Sequence, residues 1–104
     1  MMRAVINGKV YDTSTAKEVH KIKRYPKDSW HHYSETLYRT RRGNWFLYGE
    51  GLPASKYAKR SETGEYTSGE RIDVFSASQA FHFLESHGDV ESLKLYFNQE
   101  VAEA

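Results

Sequence analysis

Histidines, serines, and arginines set beside aromatic rings are the residues of this sequence whose types could do chemistry. The five histidines are His20, His31, His32, His82 and His87, and no two of them have the spacing that places two imidazoles on one helix face around a zinc ion. There is no cysteine to complete a site, so a metal centre would have to be assembled from distant segments, and none is expected. Ser14, Ser29, Ser34, Ser55, Ser76 and Ser78 fall in no strand-turn-helix nucleophile motif and read as caps and turns. Gly49 and Gly51 lack the third glycine and following helix of a phosphate-cradling loop. No aspartate or glutamate stands in a recognisable acid-base setting. The expectation is a protein that is not an enzyme, with no catalytic residues, cofactor or metal.

The basic and aromatic residues carry more information. Nucleic-acid recognition needs cations for phosphate and flat rings for bases, and Arg39, Arg41 and Arg42 lie close to Phe46 and Tyr48 in sequence. Trp30 and Tyr33 precede them in a segment without periodicity, Tyr25 to Tyr33, which reads as an aromatic contact loop. These seven residues are the candidate binding surface. Charge is distributed unevenly around a net of +1: residues 17–60 hold eleven bases against four acids, while residues 72–104 hold Lys94 against six acids. Such a chain is dipolar if the two segments occupy different faces, and the acidic helices at the C-terminal side form the competing docking surface.

The elements that must position these residues can be read from turn and cap signals. Asn7-Gly8 joins Arg3–Ile6 to Lys9–Asp12 as a type I′ hairpin. Thr15 and Glu18 have capping-box spacing, which predicts a short helix over 14–22 with Ala16, Val19 and Ile22 inward. Residues 36–42 and 45–48 flank Gly43-Asn44 as a second hairpin. A two-residue loop there places Tyr38, Thr40, Trp45 and Leu47 on a core face, and Leu37, Arg39, Arg41, Phe46 and Tyr48 on an exposed or half-covered one. A short edge strand is expected over 56–60, a turn region over 61–70 and a strand over 71–75. Ser76 with Gln79 opens a helix over 77–87 ended by Gly88, and Asp89 caps a last helix burying Val90, Leu93, Phe97 and Val101.

The implied class is α+β: an antiparallel sheet built from hairpins, with a short N-terminal helix and two C-terminal helices packed on one side. The 104 residues fit one domain, 1–104, and a 14% aromatic content lets rings supply much of the core. Absence of cysteine fits a reducing, cytoplasmic setting, and no apolar run approaches the ~18 residues that span a bilayer, so neither membrane insertion nor secretion is expected.

The runs Ile6 to Thr13, Glu35 to Thr40, Gly43 to Gly51 and Ser55 to Ala58 resemble a group of small proteins from bacterial phages, plasmids and conjugative elements. The similarity covers most of the chain. It departs from the group after Ala58, where Lys59 to Glu65 replaces a glycine-rich stretch. The resemblance implies a role in interference with host defence of the anti-CRISPR kind, with a host effector protein or protein–nucleic-acid complex as partner. Direct binding of DNA or RNA by an accessory protein is the alternative.

Overall fold

A computed structural model describes residues 2–104. β1 (Arg3–Ile6) and β2 (Lys9–Asp12) form the expected hairpin. Its turn residues Asn7 and Gly8 both have positive φ, 52° and 77°, the pair of angles a type I′ turn requires.

The segment expected as a helix is instead β3 (Lys17–Arg24), an edge strand paired antiparallel with β4 (Tyr33–Arg39). A helix of about nine residues has a costly nucleus, whereas strand pairing satisfies its backbone at once. The capping box does not form, and the Thr15 hydroxyl donates to the Asp12 carbonyl at 3.4 Å. The misleading pattern has a structural origin. The register shifts between Glu18 and His20, so Val19 bulges out of the ladder and packs on the same side as the paired His20 and Ile22. A bulge breaks the period of two, and two inward apolar residues three apart imitate a helix.

β4 continues through a tight turn into β5 (Trp45–Gly51), and β8 (Gly69–Phe75) completes a four-stranded antiparallel sheet of order β3-β4-β5-β8. Between them, β6 (Lys59–Arg60) and β7 (Tyr66–Thr67) make a small separate hairpin. Helix α1 (Ala77–Ser86) starts with the expected Ser76–Gln79 capping box. α2 (Val90–Tyr96) is capped by Asp89, whose carboxylate accepts the Ser92 N–H. Gly88, at φ 67°, separates the two helices. Val90 is exposed, so of the four apolar residues assigned to the last helix only Leu93 is buried within it; Phe97 and Val101 pack just beyond its end.

The β4–β5 hairpin has a loop one residue longer than expected and a pairing register shifted by three: Trp45 stands opposite Arg39, where a Gly43-Asn44 loop would put Arg42. Leu37 faces Leu47, Tyr38 faces Phe46 and Arg39 faces Trp45. Arg41 and Arg42 occupy the centre of the turn, the Gly43 N–H donates to the Thr40 carbonyl at 2.9 Å, and Gly43 takes φ 87°. This is a three-residue loop with glycine at the left-handed position, and changing from an even to an odd loop exchanges the strand faces. Trp45 and Leu47 are buried as expected, but Leu37 and Arg39 lie on their face, and Tyr38 moves to the other.

Both faces of the sheet are covered. Leu37, Trp45 and Leu47 meet Ala80, Leu84, Leu93 and Phe97 from the helices. Phe46, Tyr48 and Ile72 on the reverse meet Tyr11 of the β1–β2 hairpin, with Ile6 and Tyr38 at the margin. The result is three layers: a helix pair, a sheet and a hairpin.

Candidate functional site

The seven candidate binding residues do not form one surface. Phe46 and Tyr48 are buried beneath the β1–β2 hairpin, 0% and 7% exposed, which removes them from any contact face. An exposed sheet face requires both the right register and no covering layer, and the β1–β2 hairpin supplies a cover that strand alternation cannot announce. Tyr33 and Arg39 stand at opposite ends of β4, about 20 Å apart at the usual rise per residue. Trp30 belongs to the Tyr33 end, where its carbonyl accepts the Ala54 N–H at 2.9 Å and its side chain is exposed. The expected union of Trp30 and Tyr33 with the arginines is therefore corrected to two separate regions.

At the Arg39 end, the β4–β5 turn, the start of β3 and the β1–β2 hairpin converge. Two clefts open there. One, of about 420 Å³, is lined by Lys17, Arg39, Arg41, Thr15, Thr40 and Tyr96, together with Ala16. The other, of about 600 Å³, adds Arg3, Lys9 and Arg42 and shares Arg41. Six cations thus line adjoining clefts with a single carboxylate, Asp12, among them. Hydrogen bonds from the Ser14 hydroxyl and N–H hold the Asp12 carboxyl below the usual aspartate range. Arg41 and Arg42 are exposed. No ion pair with a carboxylate forms at Arg3, Lys9, Lys17, Arg39, Arg41 or Arg42 among the described residues.

Arg39 is held differently from the turn arginines. Its guanidinium carbon lies 5.5 Å from the Trp45 ring centre and 5.3 Å from that of Tyr96, in the corner of two rings set at 87°. Its Nε is buried with no acceptor. Lys17 also approaches Tyr96, with Nζ 6.0 Å from the ring centre. Arg3, Lys9, Lys17 and Tyr96 were outside the sequence-derived set. No local pattern marks them, because they arrive from four different elements.

The Tyr33 end differs: Glu35 there has a cationic partner, while Glu50 and Glu70, opposite each other on the reverse face, share the Tyr48 hydroxyl. The buried Glu35 carboxylate accepts a hydrogen bond from the Tyr57 hydroxyl and lies 2.7 Å from Lys56 Nζ. Burial, then the neighbouring Glu35, pushes the Tyr57 phenol well above its ordinary range. On the helix side, His20 Nδ1 meets Asp89 Oδ2 at 2.7 Å. Burial alone would raise the Asp89 carboxyl, but hydrogen bonds from the Ser92 N–H and hydroxyl, and the contact with His20, outweigh it and leave the group below the usual range. Among the described residues, no group of three histidine, aspartate or glutamate side chains is arranged to hold a metal ion, and no helix is long and apolar enough to cross a membrane. Comparison with protein-family models, curated proteins and solved structures finds no match to this chain.

Proposed function

We propose that this protein is a non-enzymatic binding protein that inhibits or modulates a nucleic-acid-handling complex by docking its basic end on it. One observation carries the reading: six cations from four strands and a turn line adjoining clefts with one carboxylate among them. Like charges gathered without internal partners repel one another, and an anionic surface relieves that repulsion on contact. The resemblance to small proteins of phages, plasmids and conjugative elements supplies the biological direction, with an anti-CRISPR-like inhibitor acting on a host effector in the cytoplasm as the specific form.

The test is capture of partners from host lysate with and without nuclease, followed by the Arg41→Glu/Arg42→Glu double variant. A complex that survives nuclease and weakens at least about tenfold in the variant, ~1.4 kcal/mol, supports the reading. Binding unaffected by the reversal sinks the basic end as the contact. The second reading, direct binding of DNA or RNA, draws on the Tyr96 ring flanked by Lys17 and Arg39, a ring and cations in one cleft. Purified protein that binds an oligonucleotide without a partner, with affinity falling steeply in salt, selects that reading.

A further inference from the structure

The smaller of the two clefts has features that an extended basic surface does not need. Lys17, Arg39 and Arg41 line it together with Thr15 and Thr40, and no carboxylate lines it. The Thr40 hydroxyl accepts the Asn44 N–H at 3.0 Å, which leaves its own proton to donate. Arg39 is fixed between Trp45 and Tyr96, so little side-chain freedom remains to be lost on binding. Its buried Nε has no acceptor, and no acidic side chain pairs with the guanidinium among the described residues.

We propose that this cleft is a seat for a single phosphoryl group. The inference rests on reading the basic end as the anion-binding region, and it adds the ligand class. Three cations and at least one free hydroxyl proton arriving from β3, β4 and the turn suit an anion whose oxygens are spread tetrahedrally, whereas the two oxygens of a carboxylate lie in one plane. A phosphoryl group presents tetrahedrally arranged oxygens and carries one negative charge as a backbone diester or up to about two as free phosphate, and arginine matches its geometry with paired donors. The shared chemistry is the phosphoryl oxyanion, whether carried by a nucleic-acid backbone or by a free phosphate.

The experiment follows the side-chain Nε–H signal of Arg39 and the ring signals of Tyr96 by NMR at constant ionic strength. Inorganic phosphate is titrated in one arm and a dinucleoside monophosphate, with one diester and no terminal phosphate, in the other. Saturable shifts of the Arg39 and Tyr96 signals are expected in at least one arm, and which arm saturates identifies the source. Lys17→Gln and Arg39→Lys should each weaken that binding about tenfold, whereas Arg42→Gln, in the neighbouring cleft, should change it less than about twofold. Lys17 is exposed, so its variant answers even if Arg39→Lys impairs folding. No saturable shift in either arm, or equal loss in Lys17→Gln and Arg42→Gln, overturns the seat. If phosphate fails to bind while the nuclease-resistant complex still forms, the seat is wrong and the docking reading stands. If the seat binds phosphate while partner capture is indifferent to charge reversal at Arg41 and Arg42, the seat stands and the docking reading falls.

Discussion

The two ends of the β4–β5 ribbon treat charge in opposite ways. At the Tyr33 end, segment 52–58 folds back onto the sheet and pairs the buried Glu35 with Tyr57 and Lys56, and the other carboxylates there, Glu50 and Glu70, accept from the Tyr48 hydroxyl. The overlay is possible because the strands there carry glycine. A Cβ on Gly49 would fall 1.9 Å from the Tyr57 ring, and one on Gly69 would fall 2.0 Å from the Tyr57 carbonyl oxygen. At the turn end the cations of the clefts have no carboxylate partner, and Arg41 and Arg42 are open to solvent. Paired charges under a lid belong to the fold. Unpaired cations around clefts are available to something outside it.

The comparison is sharpest at Gly49. Gly49→Val should expel Tyr57 from its place and destabilise by roughly 3 kcal/mol or more, seen as a large fall in the urea midpoint. A near-neutral result would mean that the overlay is loosely held and that the two ends differ less than described. Tyr57→Phe keeps the ring and removes the hydroxyl that donates to Glu35. The expected cost is about 1–3 kcal/mol, and a stability gain would break the assignment of that end to folding.

A smaller effect tests another settled pair, His20–Asp89. The Asp89 carboxyl is lowered in the folded state, so its contribution is present above the ordinary aspartate value of 3.8 and is lost as pH falls below it, through the folded value. Asp89→Asn should therefore reduce stability at neutral pH, with the gap to the parent protein narrowing as acid titrates the parent. A gap independent of pH would show that the carboxylate charge is not what matters there. The smallest effect on folding is expected at the turn: Arg41→Glu/Arg42→Glu should leave stability within about 0.5 kcal/mol of the parent, because both side chains are exposed. Arg39→Glu belongs in a different class, since its guanidinium is packed against Trp45 and Tyr96 and its replacement should destabilise as well as alter binding.

Legibility in the sequence followed the range of the interactions. The Asn7-Gly8 turn, the Ser76–Gln79 box, the Gly88 break and the Asp89 cap are local hydrogen-bonding and φ requirements, met within a few residues, and the structure has each of them. The Thr15–Glu18 spacing was equally local and misled, because pairing with β4 and a bulge at Val19 overrode it. Of the candidate site, Arg41 and Arg42 were legible as exposed cations, though as the end of a strand and not as the turn they occupy. Arg3, Lys9 and Lys17 were not, since nothing near them in the chain points to their meeting.

By itself, the sequence determined the α+β class, the antiparallel hairpins, the two capped C-terminal helices and the burial of Trp45 and Leu47, all consequences of short-range backbone chemistry and apolar patterning. Tertiary structure alone decided that the β1–β2 hairpin covers the reverse of the sheet, that an odd loop puts Arg39 beside Trp45, and that six cations surround adjoining clefts. The physical reason is that side-chain facing has a period of two, so one residue of loop length reverses it, while the meeting of remote cations depends on which layers stack, and stacking leaves no trace in local spacing.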